Sequence, residues 1–86
     1  MNITDTQYEQ LLHYCTQRLD SNTVSQGTAQ LALAMARPHA TLEVDGKIVK
    51  GTTIVEGATR LRLAQAIILT QQWREHQQSL LKEQAL

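Results

Sequence analysis

The chain of 86 residues has no phenylalanine, one tryptophan, one cysteine and one proline. A single thiol, Cys15, excludes an internal disulfide and leaves no second thiolate for a zinc site, so disulfide scaffolds and zinc ribbons fall away. An excess of one charge is missing too. Eight Lys plus Arg balance eight Asp plus Glu, for a formal net charge of zero, so attraction to nucleic acid or an anionic membrane has only local sources. The longest apolar stretch, Ala64 to Leu69, is interrupted by Gln65 and is far too short to cross a bilayer. The opening residues Met1-Asn2-Ile3-Thr4-Asp5 lack the basic start and apolar run of a secretory signal, and residence in the cytoplasm is expected.

What is present is a moderate apolar content of 42%, too high for a disordered chain. With aromatics at 3%, aliphatic side chains have to fill the core. A chain this short cannot divide them between two cores, so residues 1–86 are read as one domain, which excludes two-domain enzymes. So small an aliphatic core is marginal alone, and dimerisation is a natural remedy because it buries more apolar area.

Local signals predict an α+β domain that is predominantly helical, in the order α-α-β-β-α. Thr4 followed three residues later by Gln7 is a capping-box pattern, with Ile3 placed to staple against Tyr8. Tyr8, Leu11, Leu12, Cys15 and Leu19 then recur at helical spacing, predicting a first helix to about Leu19. Asp20 to Thr23 supplies turn and capping residues, and a second helix is expected from near Thr23 to Arg37, where Pro38 stops it. Gly27 inside that helix is expected to admit a close approach by the first helix.

Thr41 to Val44 and Lys47 to Lys50 flank Asp45-Gly46, a pair suited to the positive φ values of a tight hairpin turn. That register sets Val44 opposite Lys47 and Leu42 opposite Val49, with Leu42, Val44 and Val49 on the side that covers the helices. The second strand is expected to run on through Gly51 to Val55, giving a hairpin over about residues 41–55. From about 58 to 84 the chain has no glycine or proline, and a long C-terminal helix is expected. Its first half offers Leu61, Ala64, Ile67 and Ile68 to the core. Its second half carries a narrow stripe of Leu69, Trp73, His76 and Leu80 among glutamines. At about 25 residues this helix spans about 37 Å at 1.5 Å per residue, so its end is expected to project beyond the globule with that stripe uncovered.

The chemistry-bearing residues are sparse. Cys15 lies in the apolar stripe of the first helix and His13 is two residues away on another face, so no nucleophile and base converge. His13, His39 and His76 show no metal-ligand spacing, and the glycines follow no phosphate-loop order. No catalysis, metal, cofactor or small-molecule substrate is expected.

The sequence reading is a small non-enzymatic interaction or regulatory module, a homodimer or the partner of another protein. Leu69, Trp73, His76 and Leu80 are its expected contact residues, since a lone tryptophan on an apolar stripe suits an interface anchor. A membrane partner is not expected, because the polar face is rich in glutamine and carries few basic residues. The alternative is a nucleic-acid-binding regulator of winged-helix outline, using Lys47, Lys50, Arg60 and Arg62. Residues 37–62 set Arg37, Lys47, Lys50, Arg60 and Arg62 against Glu43, Asp45 and Glu56, a local surplus of two positive charges. Against it, the second helix, which would read the groove, has no Lys or Arg before Arg37 to neutralise phosphates.

Overall fold

The structure, a computed structural model, describes residues 3–84, the last two by their backbone alone. Four helices and one hairpin follow in the order α1 (Asp5–Asp20), α2 (Gln26–Ala36), β1 (Thr41–Val44), β2 (Lys47–Lys50), α3 (Gly51–Glu56) and α4 (Arg60–Gln84). The two strands pair antiparallel as a two-stranded sheet.

Helix α1 begins where its capping box says it should. The Gln7 N–H donates to Thr4 Oγ1 at 3.2 Å and the Thr4 N–H donates to Gln7 Oε1 at 2.9 Å, pairing two otherwise orphaned groups. Its far end closes with Asn22 in the left-handed region at φ 57. The Thr23 N–H donates to the Arg18 carbonyl and the Asn22 N–H to the Leu19 carbonyl, the double bond of a Schellman ending. These two residues therefore finish α1, and the cap of α2 falls later than expected, at Ser25, whose hydroxyl accepts from the Thr28 N–H at 3.2 Å.

Helix α2 is the hub. Seven of its eleven residues are buried: Thr28, Ala29, Leu31, Ala32, Leu33, Ala34 and Ala36. The small alanines let α1, α3 and α4 pack round it, and its apolar residues join Leu11, Tyr14 and Cys15 of α1 with Ala66, Leu69 and Trp73 of α4 in one core. At its exit Arg37 ties the first turn of α1 down. The guanidinium pairs with Asp5, donates to the Ile3 carbonyl at 3.4 Å and lies 4.9 Å from the centre of the Tyr8 ring. Ile3 and Tyr8 both pack on the core there.

The hairpin has the expected register, Leu42 opposite Val49 and Val44 opposite Lys47. Asp45 and Gly46 both hold positive φ, 52 and 79, the backbone of a two-residue primed turn. Leu42, Val44 and Val49 are half-buried while Thr41, Glu43, Lys47, Ile48 and Lys50 are exposed.

The second strand stops at Lys50, and residues 51–55, expected to extend it, instead form α3 together with Glu56. The β-branched run Thr52-Thr53-Ile54-Val55 favours a strand, yet tertiary contacts override that preference. The Gly51 N–H donates to the Ala40 carbonyl and the Thr52 N–H to the Pro38 carbonyl, both at 2.9 Å, which turns the chain back against the end of α2. Coiled as a helix, the segment brings both Ile54 and Val55 against the core. Gly51 permits this approach: a Cβ there would lie 2.9 Å from the Arg37 carbonyl oxygen and 3.0 Å from Pro38 backbone atoms.

Candidate interaction surface

Helix α4 opens with the Thr59 hydroxyl accepting from the Arg62 N–H at 3.2 Å, and its 25 residues run through a molecule measuring 44 × 25 × 22 Å. At about 100° per residue, Ala66, Leu69, Thr70 and Trp73 share one side, and all four are buried. Leu69 and Trp73 are 1% and 3% exposed. The first two residues of the stripe expected to stand open are thus enclosed within the chain, and Leu69 and Trp73 hold its own core together. Trp73 Nε1 is buried without an acceptor among the described residues, a cost of about 1–3 kcal/mol that its ring burial has to offset. Thr70 escapes that cost by donating to the Ala66 carbonyl at 2.9 Å.

The other two members of the stripe lie further out. His76 is exposed and meets the Tyr14 ring of α1 at 5.5 Å between centroids, tilted by 38°. Tyr14 in turn accepts from Arg18 at 2.7 Å through its hydroxyl. Leu80, 39% exposed, borders a hollow of 190 Å³ with Gln10, His13, Tyr14, Gln17, His76 and Gln77. His76 and Leu80 therefore sit along the α1–α4 seam, with much of each side chain still in water.

The first half of α4 reverses the sequence expectation in the opposite sense. Leu61, Ile67 and Ile68, assigned to the core, are 71%, 44% and 53% exposed, and Ala64 is exposed with them. Leu61, Ala64 and Ile68 lie opposite Ala66 and Trp73 on the helix, with Ile67 at the border. Two apolar stripes run along this helix a half-turn apart. The core takes the one that carries tryptophan, because α1 and α2 supply Leu11, Tyr14, Cys15 and a row of alanines to surround it. The other faces outward as a ridge between two hollows. One, of 290 Å³, is lined by Thr23, Val24, Ser25, Thr28, Gln65 and Ile68, among others. The second, of 230 Å³, is lined by Met35, Ile67, Thr70, Gln71 and Arg74. A signal for this face was present in the sequence: the 61, 64, 68 spacing competes with 66, 69, 73, and both cannot point to one core.

The alternative winged-helix outline draws its charge from four basic residues. Lys47 and Lys50 are exposed at the two ends of β2, and Arg60 and Arg62 are exposed at the start of α4. Gly27 faces Arg62 and not the first helix: a Cβ at Gly27 would collide with the Arg62 guanidinium. Helix α2, the groove-reading element of that outline, is the most enclosed helix of the fold and has no Lys or Arg.

A catalytic centre needs convergent titratable groups, and His13, Tyr14 and His76 line the same 190 Å³ hollow between α1 and α4. Cys15 is 1% exposed, and burial pushes its thiol up to about 11, so at neutral pH it is a protonated, poorly nucleophilic group. Among the described residues no three His, Cys, Asp or Glu side chains come together as metal ligands. No described helix is long and apolar enough to cross a membrane. Compared with known protein families, curated proteins and solved structures, the chain matches none.

Proposed function

We propose that this chain is a small, non-enzymatic interaction or regulatory module, working in the cytoplasm by occupying the surface of another protein chain. The observation that supports it is the outward face of α4, where three large aliphatic side chains, Leu61, Ile67 and Ile68, are 44–71% exposed beside Ala64. Isolated exposed aliphatics are ordinary, whereas a contiguous ridge of them on one helix suits recognition by a complementary groove. Gln65, Gln71 and Gln72, all exposed, flank the ridge as a polar rim. The contact thus moves from the buried Leu69 and Trp73 to the opposite side of the same helix.

The test is photo-crosslinking in cells through an aryl-azide or diazirine residue placed at Ile68, compared with the same residue at exposed Glu9 on α1. Adducts at Ile68 that are lacking at Glu9 support the reading. A chain that crosslinks nowhere along Leu61, Ala64 and Ile68 refutes it.

A further inference from the structure

We infer that the occupant of the α4 ridge is a second copy of this chain, packed antiparallel about a two-fold axis passing near Ala64. This deepens the proposed function and rests on its assignment of the ridge. The first support is area. A compact monomer of 9.7 kDa exposes about 5,100 Å², whereas this chain exposes 6068 Å², an excess of roughly 900 Å². One partner in a standard-size interface buries about 800 Å². The radius of gyration, 13.1 Å against about 12 Å for 86 compact residues, points the same way.

The second support is self-complementarity. A two-fold interface requires one patch to fit itself. Here a convex ridge stands beside concave hollows on both flanks, so the ridge of each chain finds a hollow on the other. Leu61, Ala64 and Ile68 repeat at intervals of three and four. In reverse direction about Ala64, Leu61 of one chain therefore lies against the partner subunit's Ile68 and the converse, while the two alanines let the helices approach closely. The antiparallel sense also opposes the helix dipoles. With a formal net charge of zero, the two copies do not repel one another as wholes.

Sedimentation equilibrium of the full chain, from micromolar to millimolar concentration, tests the inference. The wild type is expected to reach twice 9.7 kDa. Leu61→Glu with Ile68→Glu is expected to weaken association about a hundredfold or more, with its helical circular dichroism unchanged. Leu81→Glu, 63% exposed but on another side of the helix, is expected to associate as wild type. Under oxidation, chains carrying Leu61→Cys mixed with chains carrying Ile68→Cys are expected to crosslink, and Leu61→Cys alone is not. A wild type that stays at 9.7 kDa throughout, a dimer indifferent to the two glutamates, or efficient crosslinking of Leu61→Cys by itself overturns the inference. Photo-crosslinking at Ile68 separates that failure from failure of the functional reading: an adduct with a foreign protein keeps the module and removes the second copy, and no adduct removes both.

Discussion

Leu69 and Ile68 are adjacent in sequence and opposite in fate, so truncating each to alanine reports which way α4 is turned. Leu69 is 1% exposed in the main core, and removing its isobutyl group leaves a cavity among α1 and α2 side chains. Leu→Ala at such a site costs about 2–5 kcal/mol. The whole domain is expected to hold only about 4–13 kcal/mol, at roughly 0.05–0.15 kcal/mol per residue. Leu69→Ala alone therefore removes a large share of it. Ile68 is 53% exposed, and its truncation is expected to cost the isolated chain under about 1 kcal/mol. Any larger effect at Ile68 is expected to come from the proposed dimer and to fade on dilution, whereas the Leu69 effect does not. Urea unfolding at two protein concentrations measures both, with Trp73, the sole tryptophan, reporting from inside the core. With a slope near 1 kcal/mol per molar for so small a domain, Leu69→Ala is expected to move the midpoint by about 2 M or more. Equal costs for the two variants, or a concentration-independent loss that is larger at Ile68, would refute the orientation of α4 and the ridge with it.

Further expectations rest on single contacts. Thr4→Ala removes the hydroxyl half of the α1 capping box and is expected to cost about 0.5–2 kcal/mol by thermal or urea unfolding; Thr6→Ala, exposed and one residue into the helix, is the control. Gly51→Ala sets a Cβ 2.9 Å from the Arg37 carbonyl, where only backbone can yield, and is expected to cost about 1–3 kcal/mol. Gly57→Ala, whose nearest neighbour would be at 3.4 Å, is expected to be close to neutral. Cys15 titrates at about 11 in the folded chain, above the 9.0 of a free thiol. Its contribution to stability is therefore complete below pH 9 and is lost as the pH rises from there through 11, because the unfolded chain ionises first. Cys15→Ala is expected to flatten that alkaline decline. A thiol reagent at pH 7.5 is expected to modify wild-type Cys15 only as fast as the chain opens, and fast labelling under native conditions would contradict its burial.

Interactions spanning a few residues were the legible part of this protein. Thr4 and Gln7 sit within one helical turn, Arg37 precedes Pro38 directly, and Asp45-Gly46 needs nothing beyond its own backbone preferences to reverse the chain. Each is decided by local sterics and hydrogen bonds, which is why both ends of α1, the stop of α2 and the hairpin register follow from residue order. The expected contact residues fared differently, because exposure is a property of what lies across from a side chain. Val55 and Ile54 illustrate the same limit in backbone form: their β-branched side chains suit a strand, and only the neighbouring end of α2 turns them into a helix.

Residue order alone settled that this is one aliphatic, mostly helical domain with a hairpin, a buried thiol stripe and a long final helix. Tertiary structure alone decided which side of that helix faces water. Two apolar stripes of similar spacing compete along it, 61, 64, 68 against 66, 69, 73, and periodicity cannot rank them. The choice falls to the stripe whose tryptophan and leucine fill the space that Leu11, Tyr14, Cys15 and the alanines of α2 enclose, since close packing rewards the face that leaves no void. The stripe left over, with Leu61 and Ile68 in water, is the face on which the proposed contact rests.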